Sequence, residues 1–385
     1  MLNRIIKAPE QSFFLLGPRG SGKSTWLRTT FPNAHVIDLL SEEIYQRLLA
    51  NPGQFADELR AVSTNRWVIV DEVQRLPNLL NEVHRFLEEK RLNFVLCGSS
   101  ARKLKRAGVN LLAGRALHRS MHPFVPEELG ETFDLEEILR YGSLPIVWDS
   151  TAKQETLRAY VQLYLKEEIQ AEALVRNLPG FARFLPIAAL FNGQSIKVAN
   201  IAREAGVART TVTGYLDILE ETLLCFRLHA YEAKLRVRER KLPKWYWCDP
   251  GIVRSMKRAT GALVPEERGA LFEGLVAQLL RAYKDYRGMC DDIFYWAPSG
   301  QPAQEVDFIL IRGSNLIAVE AKSGIRFAGA WCKGLRAIES LGGLQRRIIV
   351  YPHGPAMRTQ DDIDVLPFKQ FSDELAADAL WNSKS

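Results

Sequence analysis

The sequence predicts an α/β protein built from several modules, and three observations carry that prediction. Short apolar strands alternate with helical patterns from Ser12 to Phe124. The strands then stop, and helical periodicity takes over from roughly Glu127 to Asn192. Beyond roughly Arg258 a second α/β segment begins. Alternation of the first kind argues for a parallel sheet with helices on both faces. With 385 residues the chain is long enough for two or three cores.

The expected strands of the first segment are SFFLLG, HVIDLL, WVIVDE, NFVLCGSS and ALHRSMHPF. Between them lie helical runs such as Asn78 to Glu89, where Leu79, Leu80, Val83 and Leu87 keep a 3.6-residue period. TLRAYVQLYLKEEI continues in helical register in the middle of the chain. Composition is that of an ordinary globular protein, 47% hydrophobic and 25% charged. No apolar run is long enough to span a bilayer, and MLNRIIKAPEQSFF lacks the apolar centre of a signal peptide, so no membrane partner is expected. The five cysteines are scattered without a C-x-x-C pair. That spacing excludes a disulfide framework and a zinc site and predicts reduced thiols in a cytoplasmic protein.

The most specific motif is GPRGSGKST: Gly17, Pro18, Arg19, Gly20, Ser21, Gly22, Lys23, Ser24 and Thr25. It matches G-x-x-x-x-G-K-[ST] and lies between a strand and a helix, as a P-loop must. Its glycines let backbone N–H groups wrap phosphates, and the helix N-terminus adds favourable partial charge. Lys23 is expected on the β- and γ-phosphates of ATP, and the Ser24 hydroxyl on Mg2+. WVIVDE ends a buried strand in two carboxylates. Asp71 is expected to hold Mg2+ through water, and Glu72 to orient and deprotonate the attacking water. NFVLCGSS ends in Ser99 and Ser100, either a contact to the γ-phosphate or water, or turn residues.

The net charge of +6 is concentrated. Residues 195–260 hold 13 Lys/Arg against 7 Asp/Glu, a surplus equal to that of the whole chain. This is the distribution of a nucleic-acid-binding module, with a solvated basic face as its alternative. SIKVANIAREAGVARTTVTGYLDILEETLLCFRLHAY reads helix, turn, helix, strand, with Gly206 as the break. Val212, Tyr215, Leu216 and Leu219 share one face of the second helix, leaving Arg209, Thr210, Thr211 and Thr213 outward for DNA. The pattern is that of a winged helix-turn-helix, with Arg236, Arg238 and Arg240 along one side of the wing. Such modules also dock proteins.

The order of motifs, from the phosphate loop through VDEVQ, CGSS, LAGRA, HPF, GSLP, the winged helix and KWYWCDPG to EVDF and VEAK, resembles one prokaryotic family over nearly the whole chain. Its members are AAA-type ATPases of the AAA+ superfamily with a C-terminal domain of unknown function similar to the PD-(D/E)XK restriction-endonuclease fold. The resemblance implies ATP and Mg2+. It also implies that Arg115 enters a neighbouring subunit's site, and hence a ring or at least a dimer. KWYWCDPG departs from the strand pattern expected of the family and is read as packing rather than chemistry. The implied domains are an ATPase core at 1–126, a helical connector at 127–194, the winged helix at 195–257 and an endonuclease-like α/β domain at 258–385.

EVDFILIRGSNLIAVEAK reads as a hairpin turning on Gly313 and Ser314, which sets Asp307 opposite Glu320 and Glu305 opposite Lys322. Facing carboxylates destabilise a ladder unless something lies between them. The resemblance places Asp307, Glu320 and Lys322, with Glu273 on the preceding helix, where an endonuclease keeps its metal ligands and lysine. A divalent ion shared by Asp307 and Glu320 is therefore expected, with a salt-bridged platform of Glu305 and Lys322 as the alternative. The function expected of the whole is an oligomeric, Mg2+-dependent ATPase that couples hydrolysis to binding and remodelling or translocation of DNA. The alternatives are a nucleotide-dependent switch that binds a protein partner and an ATP-gated nuclease.

Overall fold

The computed structural model describes residues 2–100, 112–164, 177–232, 242–298, 304–339 and 341–382. Two compact units emerge: Arg4–His122 with Ile218–Leu224, and Met1–Asn3 with Pro123–Asp217 and Cys225–Ser385.

The first unit is built on five parallel strands: β1 (Phe13–Leu16), β2 (His35–Asp38), β3 (Trp67–Asp71), β4 (Asn93–Gly98) and β5 (Leu117–Ser120). Their spatial order is β2-β3-β4-β1-β5. The parallel pairing requires a crossover after each strand, and α1 (Lys23–Thr30), α2 (Glu42–Ala50), α3 (Gly53–Ala61) and α4 (Leu79–Glu89) occur in those connections. Strands β1, β3 and β4 are buried almost throughout, which is why they read as continuous apolar runs. On α4 the core face is Leu79, Leu80, Val83 and Phe86, so Phe86 takes the buried place expected of Leu87. The phosphate-loop motif, Asp71 and Glu72, and Ser99 and Ser100 follow the C-terminal ends of β1, β3 and β4, where ligands usually bind in open α/β sheets.

The second unit takes in the segments expected at 127–194, 195–257 and 258–385. Helices α5 (Leu135–Tyr141) and α6 (Leu178–Leu190) precede a helix-turn-helix of α7 (Val198–Ala205) and α8 (Arg209–Glu221), the last turn of α8 being counted with the first unit. Three short antiparallel strands follow the order β6-β8-β7: β6 (Gln194–Ser195), β7 (Cys225–Leu228) and β8 (Lys244–Trp247). Then come α9 (Pro250–Met256), α10 (Pro265–Arg287), β9 (Asp292–Trp296), β10 (Val306–Arg312), β11 (Asn315–Ala321) and α11 (Lys333–Ala337). The unit closes with β12 (Leu344–Tyr351), β13 (Met357–Arg358), β14 (Ile363–Pro367) and α12 (Phe368–Ala376). Six of these strands form a mixed sheet in the order β13-β14-β12-β11-β10-β9.

The hairpin has the register that period-two patterning predicts: Phe308 faces Val319 and Arg312 faces Asn315, leaving Gly313 and Ser314 as the loop. Continuing that ladder by one step sets Asp307 against Glu320. On its other side β10 slips register against β9 between Val306 and Ile309, so Asp307 lies at an irregularity of the kind that re-aims side chains. No helix among the described residues is long and apolar enough to cross a membrane. All five cysteines are buried.

Candidate functional site

The loop between β1 and α1 carries the phosphate-binding motif on a buried frame. Gly22 caps α1 at φ 86°, a left-handed conformation that costs a residue with a side chain about 1 kcal/mol or more. Pro18, Ser21 and Lys23 are buried, whereas Arg19 and Thr25 are exposed. Lys23 Nζ donates to the carbonyls of Gly17 at 2.8 Å and Pro18 at 3.1 Å. Among the described residues no carboxylate pairs with it, so anionic phosphates would compete easily for that ammonium. Ser21 Oγ is buried without a hydrogen-bond partner. Arg4, which sequence reading passed over, donates to the Ser21 carbonyl at 2.9 Å and steadies the loop from outside.

Ser24 Oγ donates to Asp71 Oδ2 at 2.7 Å, so the two expected Mg2+ ligands from α1 and β3 already meet. Glu72 follows Asp71 in a left-handed conformation, φ 55°, uncommon for a side-chain residue and frequent at functional sites. Its carboxylate is held by Gln74 Nε2 and by Ser99 Oγ at 3.3 Å, and the same Gln74 nitrogen lies 3.2 Å from Ser99 Oγ. Gln74 was legible only as part of VDEVQ, with no role assigned. Its fit explains Gly98: a Cβ there would meet Gln74 Oε1 at 2.3 Å. Ser99 and Ser100 are both buried. Arg115 is exposed at the start of β5, its guanidinium paired with Glu88 of α4 in the same chain.

The residues present fit a Mg2+–nucleotide. A glycine-lined turn at a helix N-terminus, a buried hydroxyl, an ammonium held only by carbonyls among the described residues and a hydroxyl–carboxylate pair converge at the ends of β1 and β3. Residues 9–130 match the family described as AAA domain. Match and parallel sheet together support an AAA+ P-loop ATPase. Downstream of this AAA domain, residues 132–262 and 268–371 match two families each described as a domain of unknown function. Uncharacterized proteins of Mycobacterium bovis and Mycobacterium tuberculosis are each 24% identical over 376 residues, covering 95% of this chain and 82% of theirs. Among solved structures, the Orc1 protein of Aeropyrum pernix in complex with DNA is 13% identical, covering 66% of this chain and 87% of that one at a TM-score of 0.27. A signal transduction ATPase with numerous domains from Pyrococcus horikoshii is also 13% identical, covering 73% and 46% at a TM-score of 0.22. Overall superposition is poor in both.

In the second unit the helix-turn-helix turns on Gly206, left-handed at φ 65°. Val212, Tyr215 and Leu216 are buried; Tyr215 packs edge-on against Phe181, ring centroids 4.9 Å apart, and donates to the Asn177 carbonyl at 3.0 Å. Arg209, Thr210 and Thr213 are exposed and Thr211 half-buried, so the face expected outward is outward. Arg236, Arg238 and Arg240 lie outside the described residues.

Asp307 and Glu320 are both buried, but the charge beside them is not what the sequence suggested. Lys244 of β8 reaches in, 3.0 Å from Glu273 Oε1 and 3.3 Å from Asp307 Oδ1, and it also pairs with Glu305. Lys322 pairs with Glu320 at 2.5 Å, so the Glu305–Lys322 bridge offered as the alternative is replaced by two others. KWYWCDPG therefore carries chemistry as well as packing. Tyr246 donates to Glu273 at 2.7 Å. Burial, then the charge of Asp307, pushes Glu273 up to about 7 and Glu320 up to about 8. Burial works against the charge on Lys244, but Glu273, Tyr246, Asp307 and Glu305 outweigh it and raise its pKa well above the ordinary lysine value. Among the described residues no group of three or more His, Cys, Asp or Glu is arranged to hold a metal ion.

Proposed function

We propose that the protein is a Mg2+-dependent ATPase, oligomeric, that couples ATP hydrolysis to binding and remodelling of DNA. The observation that carries this reading is the meeting of Ser24 with Asp71 beside a Glu72 already held by Gln74 and Ser99. Mg2+ held by Ser24 and Asp71 would neutralise charge on the phosphates. Lys23 would exchange its two loop carbonyls for phosphate oxygens, a stronger, charge-assisted contact. Glu72 would orient a water and take its proton, with Ser99 fixing the carboxylate. Arg115, exposed and paired only at the surface, is available to a neighbouring subunit. DNA is favoured as the target by the basic surplus at 195–260 and by the outward face of α8.

The test is ATPase rate against single-stranded, duplex, forked and four-way DNAs, with native mass measured alongside. Stimulation by DNA that disappears in Lys23→Ala and Glu72→Gln is the expected outcome. Turnover indifferent to every DNA, with no DNA bound at low salt, would refute the DNA reading and leave a switch that answers to a protein partner.

A further inference from the structure

The resemblance of the C-terminal segment to an endonuclease fold implies a divalent ion between Asp307 and Glu320, yet the oxygens of that pair are already committed. Asp307 Oδ2 accepts from the Ala321 N–H at 3.0 Å, and Asp307 Oδ1 faces Lys244 at 3.3 Å. Glu320 Oε2 accepts from the Asp307 N–H at 3.2 Å, and Glu320 Oε1 accepts from Lys322 at 2.5 Å. Each carboxylate thus gives one oxygen to the backbone and one to an ammonium. Mg2+ demands near-octahedral oxygens around one point and Ca2+ still more of them. Neither could bind here without displacing a lysine or two backbone donors from a buried region, where a donor left unpaired is costly.

The place of Lys244 in the fold is equally specific. Period-two alternation on β8 sends Lys244 and Tyr246 toward the carboxylates, while Trp247 on the opposite face donates to the Ala188 carbonyl at 3.5 Å. The Lys244 side chain is only 5% exposed. Around it the three-stranded and six-stranded sheets are stitched by backbone: Tyr231 N donates to the Tyr295 carbonyl at 2.7 Å, and Tyr295 N to the His229 carbonyl at 3.0 Å. Tyr295 also donates its hydroxyl to the Leu242 carbonyl at 2.8 Å.

We infer that Lys244 is the resident cation of this carboxylate site: its ammonium, within reach of Glu273, Glu305 and Asp307, takes the Asp307 oxygen that an ion shared with Glu320 would need, excludes that ion, and locks the sheet of the helix-turn-helix module to the C-terminal sheet. A single buried lysine within reach of three carboxylates suits that task, because removing it leaves uncompensated buried charge.

Mn2+ binding to the nucleotide-free full chain tests this, read by the loss of the free-ion electron paramagnetic resonance signal and by the shift of Tm. Wild type and Asp307→Asn should take up the same amount of Mn2+. Lys244→Met should have a lower Tm, gain one equivalent of Mn2+, recover part of the lost Tm when the ion is added, and lose both effects in the Lys244→Met/Asp307→Asn double variant. Lys244→Gln, which keeps a hydrogen-bonding group, serves where Lys244→Met does not fold. Mn2+ bound by the wild type and lost in Asp307→Asn or Glu320→Gln would overturn the inference. So would a folded Lys244 variant that gains no ion.

Discussion

At the scale of single residues the ATP site contains one group whose role only geometry reveals. Gln74 bridges Glu72 and Ser99 through its nitrogen, while its Oε1 is buried without a partner. If Glu72 is the general base, that bridge fixes the direction of its carboxylate. Gln74→Ala should therefore lower kcat about tenfold or more, within the usual range for a group that positions a general base. Nucleotide affinity should stay unchanged, because the hydrogen bonds shown for Gln74 go to Glu72 and Ser99 rather than to the phosphate loop; equilibrium titration beside steady-state rates separates the two. Glu72→Gln should bind ATP normally and lose turnover by about a hundredfold or more. Equal losses of binding and turnover in both variants would count against these roles.

At the scale of elements, Asp249 caps α9. Its carboxylate accepts from the Gly251, Ile252 and Ser143 N–H groups at 2.8, 3.2 and 2.7 Å, tying α9 to the turn after α5. This gives GSLP and CDPG a common purpose. Burial pushes Asp249 up to about 6, with those N–H groups pulling it back down. The folded state therefore binds a proton that the unfolded state has already lost between pH about 4 and about 6. Stability contributed by that proton is fully present below the lower value and lost as pH rises through the upper one. Urea midpoints across this window should fall with rising pH, by an amount on the order of 3 kcal/mol from this group. Asp249→Asn should flatten that component of the slope. It should also cost about 1 kcal/mol or more, because its amide can accept through one oxygen only.

At the scale of the whole molecule, the electrostatic surplus makes a quantitative prediction about DNA. Each lysine or arginine that neutralises a phosphate contributes about 0.9 to the slope of log affinity against log salt. Arg209→Ala should reduce that slope by about one and weaken binding to all sequences alike. The triple change at Arg236, Arg238 and Arg240 should reduce it by about three, whereas Thr210→Ala should alter preference among sequences with little change in slope. Fluorescence anisotropy from low to physiological salt measures all three. An unchanged slope in the triple variant would make that stripe a solvated face. If Arg115 acts across subunits, Arg115→Ala mixed with Lys23→Ala should recover part of the ATPase that each lacks alone, since one interface then has both groups intact.

What the sequence by itself determined is local chemistry: the phosphate loop, the Asp71–Glu72 strand end, the helix-turn-helix and the hairpin register. Each of these depends on residues close in the chain, whose spacing sets which face or turn they share. Asp307 facing Glu320 was legible because a two-residue loop leaves period-two alternation one register. Lys322, two residues from Glu320, pairs with it locally, but tertiary structure alone decided what neutralises Asp307. Lys244 lies 63 residues from Asp307, on a strand whose aromatic neighbours read as packing, and nothing in its spacing points to a carboxylate. Gln74 and Gly98 belong to adjacent strand ends that meet only when β3 and β4 pair. Asp249 and Ser143, 106 residues apart, meet only when α5 and α9 pack. Buried charges must find partners wherever the fold brings them together, and that pairing is a property of the packed interior rather than of the chain's periodicity.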